Sequence, residues 1–358
     1  MVKNKIKQIR DFGQSIWLDF FDREIMDSGK LKRMIEEDGI SGVTSNPSIF
    51  EKAISGSSDY DEDIRTLFQT KRGFDVVFFS LAVKDIKRAA DLFKSVYKRT
   101  NGLDGFVSIE VSPHLAHDTE GTIQQARELW RAINRKNVMI KIPATVAGLP
   151  AIRKCISEGI NINITLLFGL PRYEEVIEAY IAGLEDRVAA NKPIEQVTSV
   201  ASFFLSRIDV LLDPELKLKG LNDLKGQVAI ASAKKAYEIF KRVFSGSRFK
   251  TLESKGAKRQ RLLWASTSTK DPTFSDIKYV SALIGPETIN TITLETLDAF
   301  RDHGRPENRL GDYMDKASKV LENLKDGNID IDAITQRLED EGIEKFNIAY
   351  DEIIEALK

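Results

Sequence analysis

The stretch NVMIKIP, residues 137–143, decides how this chain is read. In an extended strand, successive side chains point to opposite faces. Val138, Ile140 and Ile142 then share one face, and Met139, Lys141 and Pro143 share the other. The run is as apolar as a buried strand requires, yet an amine stands in its middle. Lysine is almost never fully buried unless it is paired or put to use. A lysine in a strand can be a gatekeeper charge on a sheet edge or a working amine, and the strand alone leaves both readings open.

Working outward, seven more runs look like strands: SIWLDF (15–20), ISGVTSN (40–46), GFVSIEV (105–111), NINITLLF (161–168), VTSVASFF (197–204), RLLWASTS (261–268) and TINTITL (288–294). Between them lie segments with apolar residues at helical spacing, such as KLKRMIEEDG, TIQQARELWRAIN, PRYEEVIEAYIAGLEDRV and QVAIASAKKAYEIFKRVF. Pro150, Pro171 and Pro272 stand at or near expected helix starts, where a missing N–H costs little. Eight strand–helix pairs in alternation predict an α/β fold, a parallel sheet closed into a (β/α)₈ barrel. A doubly wound open sheet is the alternative, but its Gly-x-Gly-x-x-Gly turn is absent. The barrel is expected over residues 1–304. The charged tail, 305–358, is read as a helical extension packed on the outside of the barrel.

The other strands repeat the pattern of the fourth. Ser15, Trp17 and Asp19 oppose Ile16, Leu18 and Phe20; Phe106, Ser108 and Glu110 oppose Val107, Ile109 and Val111; Asn161, Asn163 and Thr165 oppose Ile162, Ile164 and Leu166. An antiparallel sheet with one wet face alternates similarly, but the intervening helices argue against it. In a barrel the apolar set faces the helices and the mixed set faces the interior. Barrel enzymes keep their chemistry at the carboxyl ends of the strands. Asp19, Asn46, Glu110, Lys141 and Thr165 are therefore expected to converge on one pocket. A lysine among apolar groups is held neutral more readily, and a neutral amine can form a Schiff base with a carbonyl. Neighbouring carboxylates can move protons on hydroxyls or water.

Composition sets the outer bounds. In 358 residues, 42% hydrophobic, Lys+Arg 53 nearly balances Asp+Glu 54. Nucleic-acid binding usually needs a basic excess, which is missing here. One cysteine, Cys155, precludes an internal disulfide framework and fits a reducing compartment. The first apolar run is broken by Asp19, which argues against a signal peptide. DVVFFSLAV (75–83) is too short to span a bilayer. The expectation is a cytoplasmic globular protein.

GVTSNPSIF (42–50), IKIPAT (140–145) and NINITLLF (161–168) resemble the signature blocks of transaldolase, and the order of blocks matches from about Ile16 to Gly304. The longer bacterial branch of that family is the nearest likeness. The resemblance implies a (β/α)₈ barrel that transfers a dihydroxyacetone unit from sedoheptulose 7-phosphate or fructose 6-phosphate to glyceraldehyde 3-phosphate or erythrose 4-phosphate. It implies that Lys141 forms the Schiff base and that Asp19 takes the proton of the C4 hydroxyl. It places Glu110 and Thr165 on a catalytic water, Asn46 and Ser202 on the dihydroxyacetone unit, and Arg207 and Ser266 on further substrate contacts, Arg207 on phosphate. The partners implied are sugar phosphates, with the chain a monomer or homodimer and neither nucleic acid nor membrane involved; no metal or organic cofactor is implied.

One block departs from the best-known branch. Where that branch carries Ala-Ser-Phe-Arg, this chain reads WASTSTK (264–270), with Ser268 at the arginine's position. Lys270, of the same parity if the strand continues, is the expected replacement. Small barrel aldolases that cleave fructose 6-phosphate without transfer are the nearest rivals. They carry glutamine and tyrosine where this chain has Glu110 and Phe204. A deoxyribose-phosphate-type aldolase would leave the VTSNPS block unexplained, and a non-catalytic barrel would be expected to have lost catalytic residues. Blander readings stand beside these. Asn46 could be a turn residue before Pro47, and Arg207 could pair with Asp209 on the surface. His114 and His117 have a spacing that metal sites use, but with His303 they are the only histidines. KRQR (258–261) reads as a solvated face.

Overall fold

The computed structural model describes residues 4–70 and 73–358. Eight parallel strands close on themselves in sequence order. They are β1 (Gln14–Leu18), β2 (Gly42–Val43), β3 (Phe106–Glu110), β4 (Val138–Pro143), β5 (Ile162–Leu167), β6 (Ser199–Phe204), β7 (Arg261–Ala265) and β8 (Thr288–Ile292). Each lies inside a run expected from the sequence, except that β1 begins one residue earlier, at Gln14, and helices surround them. The expected (β/α)₈ barrel is what forms.

Local chemistry sets the helix ends. Asp118 accepts from the backbone N–H of Gly121 at 3.0 Å and caps the helix Thr119–Ile133. Asn134 ends that helix in the left-handed conformation, at φ 49°. Pro171 opens the helix Leu170–Ala189, as expected. Pro272 instead lies in a loop ahead of the helix Lys278–Ala282. DVVFFSLAV forms part of the helix Phe74–Arg99 and buries Val77, Phe78, Leu81 and Ala82 against the core. Among the described residues, no helix is long and apolar enough to cross a membrane.

The barrel interior mixes polar and apolar side chains, as strand parity predicts. At the amino-terminal end, Asp104 accepts from Ser15 Oγ at 2.7 Å and Trp17 Nε1 at 3.0 Å, and pairs with Arg261 at 3.0 Å. The basic run 258–261 is thus pinned rather than solvated. Lys258 also donates to the Gly102 carbonyl, and Arg259 pairs with Glu253 and Glu287. In the middle, Asn163 bridges Ser108 and Ser202. Gly42 makes room for the indole of Trp17, since a Cβ there would lie 2.5 Å from its ring.

The tail divides in two. Its first helix, Met314–Asp326, packs on the outer helix Val228–Phe244. Its last helix, Ile331–Ala356, does not lie on the outer wall. It crosses the carboxyl end of the barrel, against the helix Pro47–Ser55, the turn Pro113–Leu115 and β5. Helical periodicity shows which face of a tail helix is apolar but not which surface it covers.

Candidate active site

Strand register sets the centre of the site. Glu110 on β3 pairs in register with Lys141 on β4, which brings both inward side chains to one level. Lys141 is only 5% exposed. Its Nζ lies 2.7 Å from Glu110 Oε1 and donates to the Ser45 carbonyl at 2.8 Å. This corrects the sequence expectation of an amine among apolar groups. Ile140 and Ile142 face the helices, and the groups that meet the amine are a carboxylate and a carbonyl. The carbonyl comes from the extended backbone after β2, which the short strand leaves free.

Asp19 follows β1 and accepts from Thr44 Oγ1 at 2.7 Å. Thr44 Oγ1 and Thr291 Oγ1 are also 2.7 Å apart. Having given its proton to Asp19, Thr44 accepts from Thr291. Burial pushes the Asp19 carboxyl above its usual range, against the opposing effects of the Thr44 hydrogen bond and the charges of Lys141, Lys270 and Arg207. Burial likewise raises Glu110; the charge and hydrogen bond of Lys141 oppose this, and the charge of Asp19 adds to it. Thr165 Oγ1 and Glu110 Oε2 are buried without a well-aligned hydrogen-bond partner among the described residues.

Nine of the ten residues singled out in the sequence line one cavity of about 130 Å³: Asp19, Asn46, Lys141, Thr165, Ser202 and Phe204, together with Arg207, Ser266 and Lys270. Glu110 lies behind Lys141. Asn46 caps the helix Pro47–Ser55 by accepting from Ile49 N–H at 3.0 Å, which leaves its amide NH₂ for the cavity. Ser202 gives its proton to Asn163 Oδ1 at 2.6 Å. Arg207 is the second residue of the helix Ser206–Leu218 and lies 5.8 Å from the centroid of the Phe204 ring. Its Nη1 is buried without a partner among the described residues. Asp209 does not pair with Arg207. It holds Lys278 at 3.1 Å, Tyr279 at 2.8 Å and the Ala229 N–H at 2.9 Å.

The strand-parity argument for Lys270 fails. β7 stops at Ala265, and Ser266 turns the chain through φ +54°. Lys270 reaches the cavity from the loop that follows. Ser268 bonds the hydroxyls of Thr293 and Thr296 at 3.2 and 3.1 Å. Leu166 has φ +54° as well, where the pairing of β5 with β6 shifts register. Non-glycine residues pay for this conformation, and such strain gathers at functional sites.

Sequence reasoning missed Thr44, Thr291, Thr293 and Phe346, all on the cavity wall. Thr44 lies inside the VTSNPS block, and Thr291 and Thr293 share inward parity on and just after β8, so the three had a signal. Phe346 had none, because it comes from the tail. Of the histidines, His114 and His303 sit on the surface with Asp351 and Asp276, each at 2.8 Å. Among the described residues, no group of three or more His, Cys, Asp and Glu is placed to hold a metal ion.

Residues 16–357 match the Transaldolase/Fructose-6-phosphate aldolase family. A protein named Transaldolase from Trichodesmium erythraeum is 48% identical, over 100% of this chain and 98% of that protein. Transaldolase 2 of a Nostoc species is 47% identical over the same shares of the two chains. Transaldolase of Saccharopolyspora erythraea is 42% identical, over 99% of this chain and 97% of its own. With a family match across almost the whole chain and full-length relatives of this similarity, the protein belongs to the transaldolase/fructose-6-phosphate aldolase family and is an enzyme of the transaldolase kind.

Proposed function

We propose that the enzyme moves a dihydroxyacetone unit from a ketose phosphate, sedoheptulose 7-phosphate or fructose 6-phosphate, to glyceraldehyde 3-phosphate or erythrose 4-phosphate. The observation that carries this reading is a buried Lys141 within 2.7 Å of Glu110, in one cavity with Asp19. Glu110, its pKa raised by burial, is a suitable acceptor for a proton of the ammonium. The freed amine attacks the ketose carbonyl and loses water to give the imine. Asp19 takes the C4 hydroxyl proton, the C3–C4 bond breaks, and its electrons pass into the imine to form an enamine. The enamine carbon then attacks the acceptor aldehyde, and hydrolysis releases the new ketose. A water held by Glu110 and Thr165, whose buried oxygens converge there, serves both imine steps. The NH₂ of Asn46 and the hydroxyl of Ser202 hold the three-carbon unit. Arg207 takes the phosphate, with Lys270, Ser266 and Ser268 on the same wall. Lysine there is a point charge without the bidentate fork of arginine. These substrates would place the enzyme in the cytoplasmic, non-oxidative part of the pentose phosphate pathway.

Borohydride with fructose 6-phosphate should add a dihydroxyacetone-derived mass to Lys141, and Lys141→Ala should abolish it. Labelling of another lysine, or of none, refutes the mechanism. Cleavage without transfer is the second reading, disfavoured by Glu110 and Phe204. A coupled assay with and without erythrose 4-phosphate separates the two. Equal rates of product formation would favour the aldolase.

A further inference from the structure

The last helix, Ile331–Ala356, is fastened on either side of the barrel mouth. Near its start, Glu339 pairs with Arg172 at 3.2 Å. Near its end, Asp351 pairs with His114 at 2.8 Å, the Tyr350 hydroxyl bonds Asp75, and the Tyr350 ring stands edge-on to Phe78 at 5.5 Å. Between these fastenings come Gly342 and Phe346, one turn apart on the same face. A Cβ on Gly342 would lie 3.0 Å from Leu166 Cδ2 and 3.7 Å from Arg207 Nη1, so glycine lets the helix settle low over the mouth. Phe346 is 5% exposed and forms part of the wall of the cavity that holds Lys141.

The chemistry gives such a roof a use. After C3–C4 cleavage the three-carbon fragment remains on Lys141 as an enamine. In transfer, the enamine carbon bonds to the acceptor aldehyde. In loss, that carbon takes a proton instead. Water oxygen then adds to the iminium carbon, a proton passes to nitrogen, and the C–N bond breaks to give dihydroxyacetone and the free amine. One water held beside Glu110 can hydrolyse either imine. The step that separates the two routes is protonation of the enamine carbon, which a solvent-filled cavity would speed.

We propose that Phe346, held down by the fastened helix, keeps bulk water from the enamine carbon and so determines how the enzyme partitions between transfer and loss. The inference rests on the Schiff-base reading above. It gives the tail a role in specificity that a helix packed on the outer wall could not have.

The test is the ratio of free dihydroxyacetone released from fructose 6-phosphate to fragment transferred to erythrose 4-phosphate. Phe346→Ala should raise this ratio on the order of tenfold, about 1.4 kcal/mol in the difference between the two barriers. Phe346→Leu, which refills much of the space, should restore it. Gly342→Ala, whose Cβ would press on Leu166 Cδ2 at 3.0 Å, should raise the ratio with the phenylalanine in place. A general loss of packing would lower both rates together, and that result overturns the inference. So does an unchanged ratio in Phe346→Ala and Gly342→Ala while borohydride still labels Lys141; the Schiff-base reading then stands. Absence of label in the unmodified enzyme overturns that reading and this inference with it.

Discussion

Replacing Lys141 with methionine should do more than stop catalysis. It should destabilise the fold at neutral pH, in a way that acid reverses. Lys141 and Glu110 are 5% and 9% exposed and 2.7 Å apart. At an effective dielectric constant of about 20, two unit charges at that distance attract by about 6 kcal/mol. Desolvation of both ions takes back much of this, and breaking a buried pair by removing one partner costs about 3–5 kcal/mol. Burial already raises the Glu110 pKa against the opposing charge of Lys141, so the variant's folded-state pKa rises further. The folded variant then binds a proton where the unfolded chain, with a glutamate pKa of about 4.3, has released it. Stability relative to the unmodified protein therefore falls as pH rises through that window and is recovered below about pH 4. Lys141→Met/Glu110→Gln removes both charges and should regain most of the loss at neutral pH. Urea unfolding of the three proteins across pH measures the loss and its recovery. An Lys141→Met variant as stable as the parent at pH 7, or one losing stability towards acid relative to it, would refute the reasoning.

Three further outcomes follow from the same geometry. Asp19→Asn should abolish activity yet raise the thermal midpoint at neutral pH, because burial raises the folded-state pKa of Asp19. The folded state holds that proton more tightly, so the wild type loses stability as pH rises through the window. The variant's advantage should appear above it and vanish below about pH 4. Thr44→Val removes the hydrogen bond that lowers the Asp19 pKa, so the acid limb of the kcat/KM profile should move to higher pH; an unmoved limb would mean that another group sets it. Gly42→Ala puts a methyl 2.5 Å from the Trp17 indole and should cost about 1–3 kcal/mol in chemical denaturation.

Much of this protein could be read from period alone. Alternation along each strand and helical spacing between strands depend only on local geometry, so NVMIKIP and its seven counterparts were enough to specify a barrel and an inward face bearing Asp19, Glu110, Lys141 and Thr165. Periodicity says nothing about where a strand stops. Hence RLLWASTS ran three residues too far, and the parity assigned to Lys270 does not exist once Ser266 turns through positive φ. Nor can it name partners distant in the chain. The Ser45 carbonyl on the amine, the Thr291 hydroxyl behind Thr44 and the Asp104 clasp on the basic run all join residues far apart in sequence. The tail shows the limit most clearly. Its charges and apolar spacing mark two helices, but only three-dimensional packing decides that the second crosses the mouth and puts Phe346 on the wall of the cavity that holds Lys141. A helix has one apolar stripe and many surfaces that could cover it. The choice among them is made by His114, Arg172, Asp75 and Gly342, contacts that exist only once the barrel has closed.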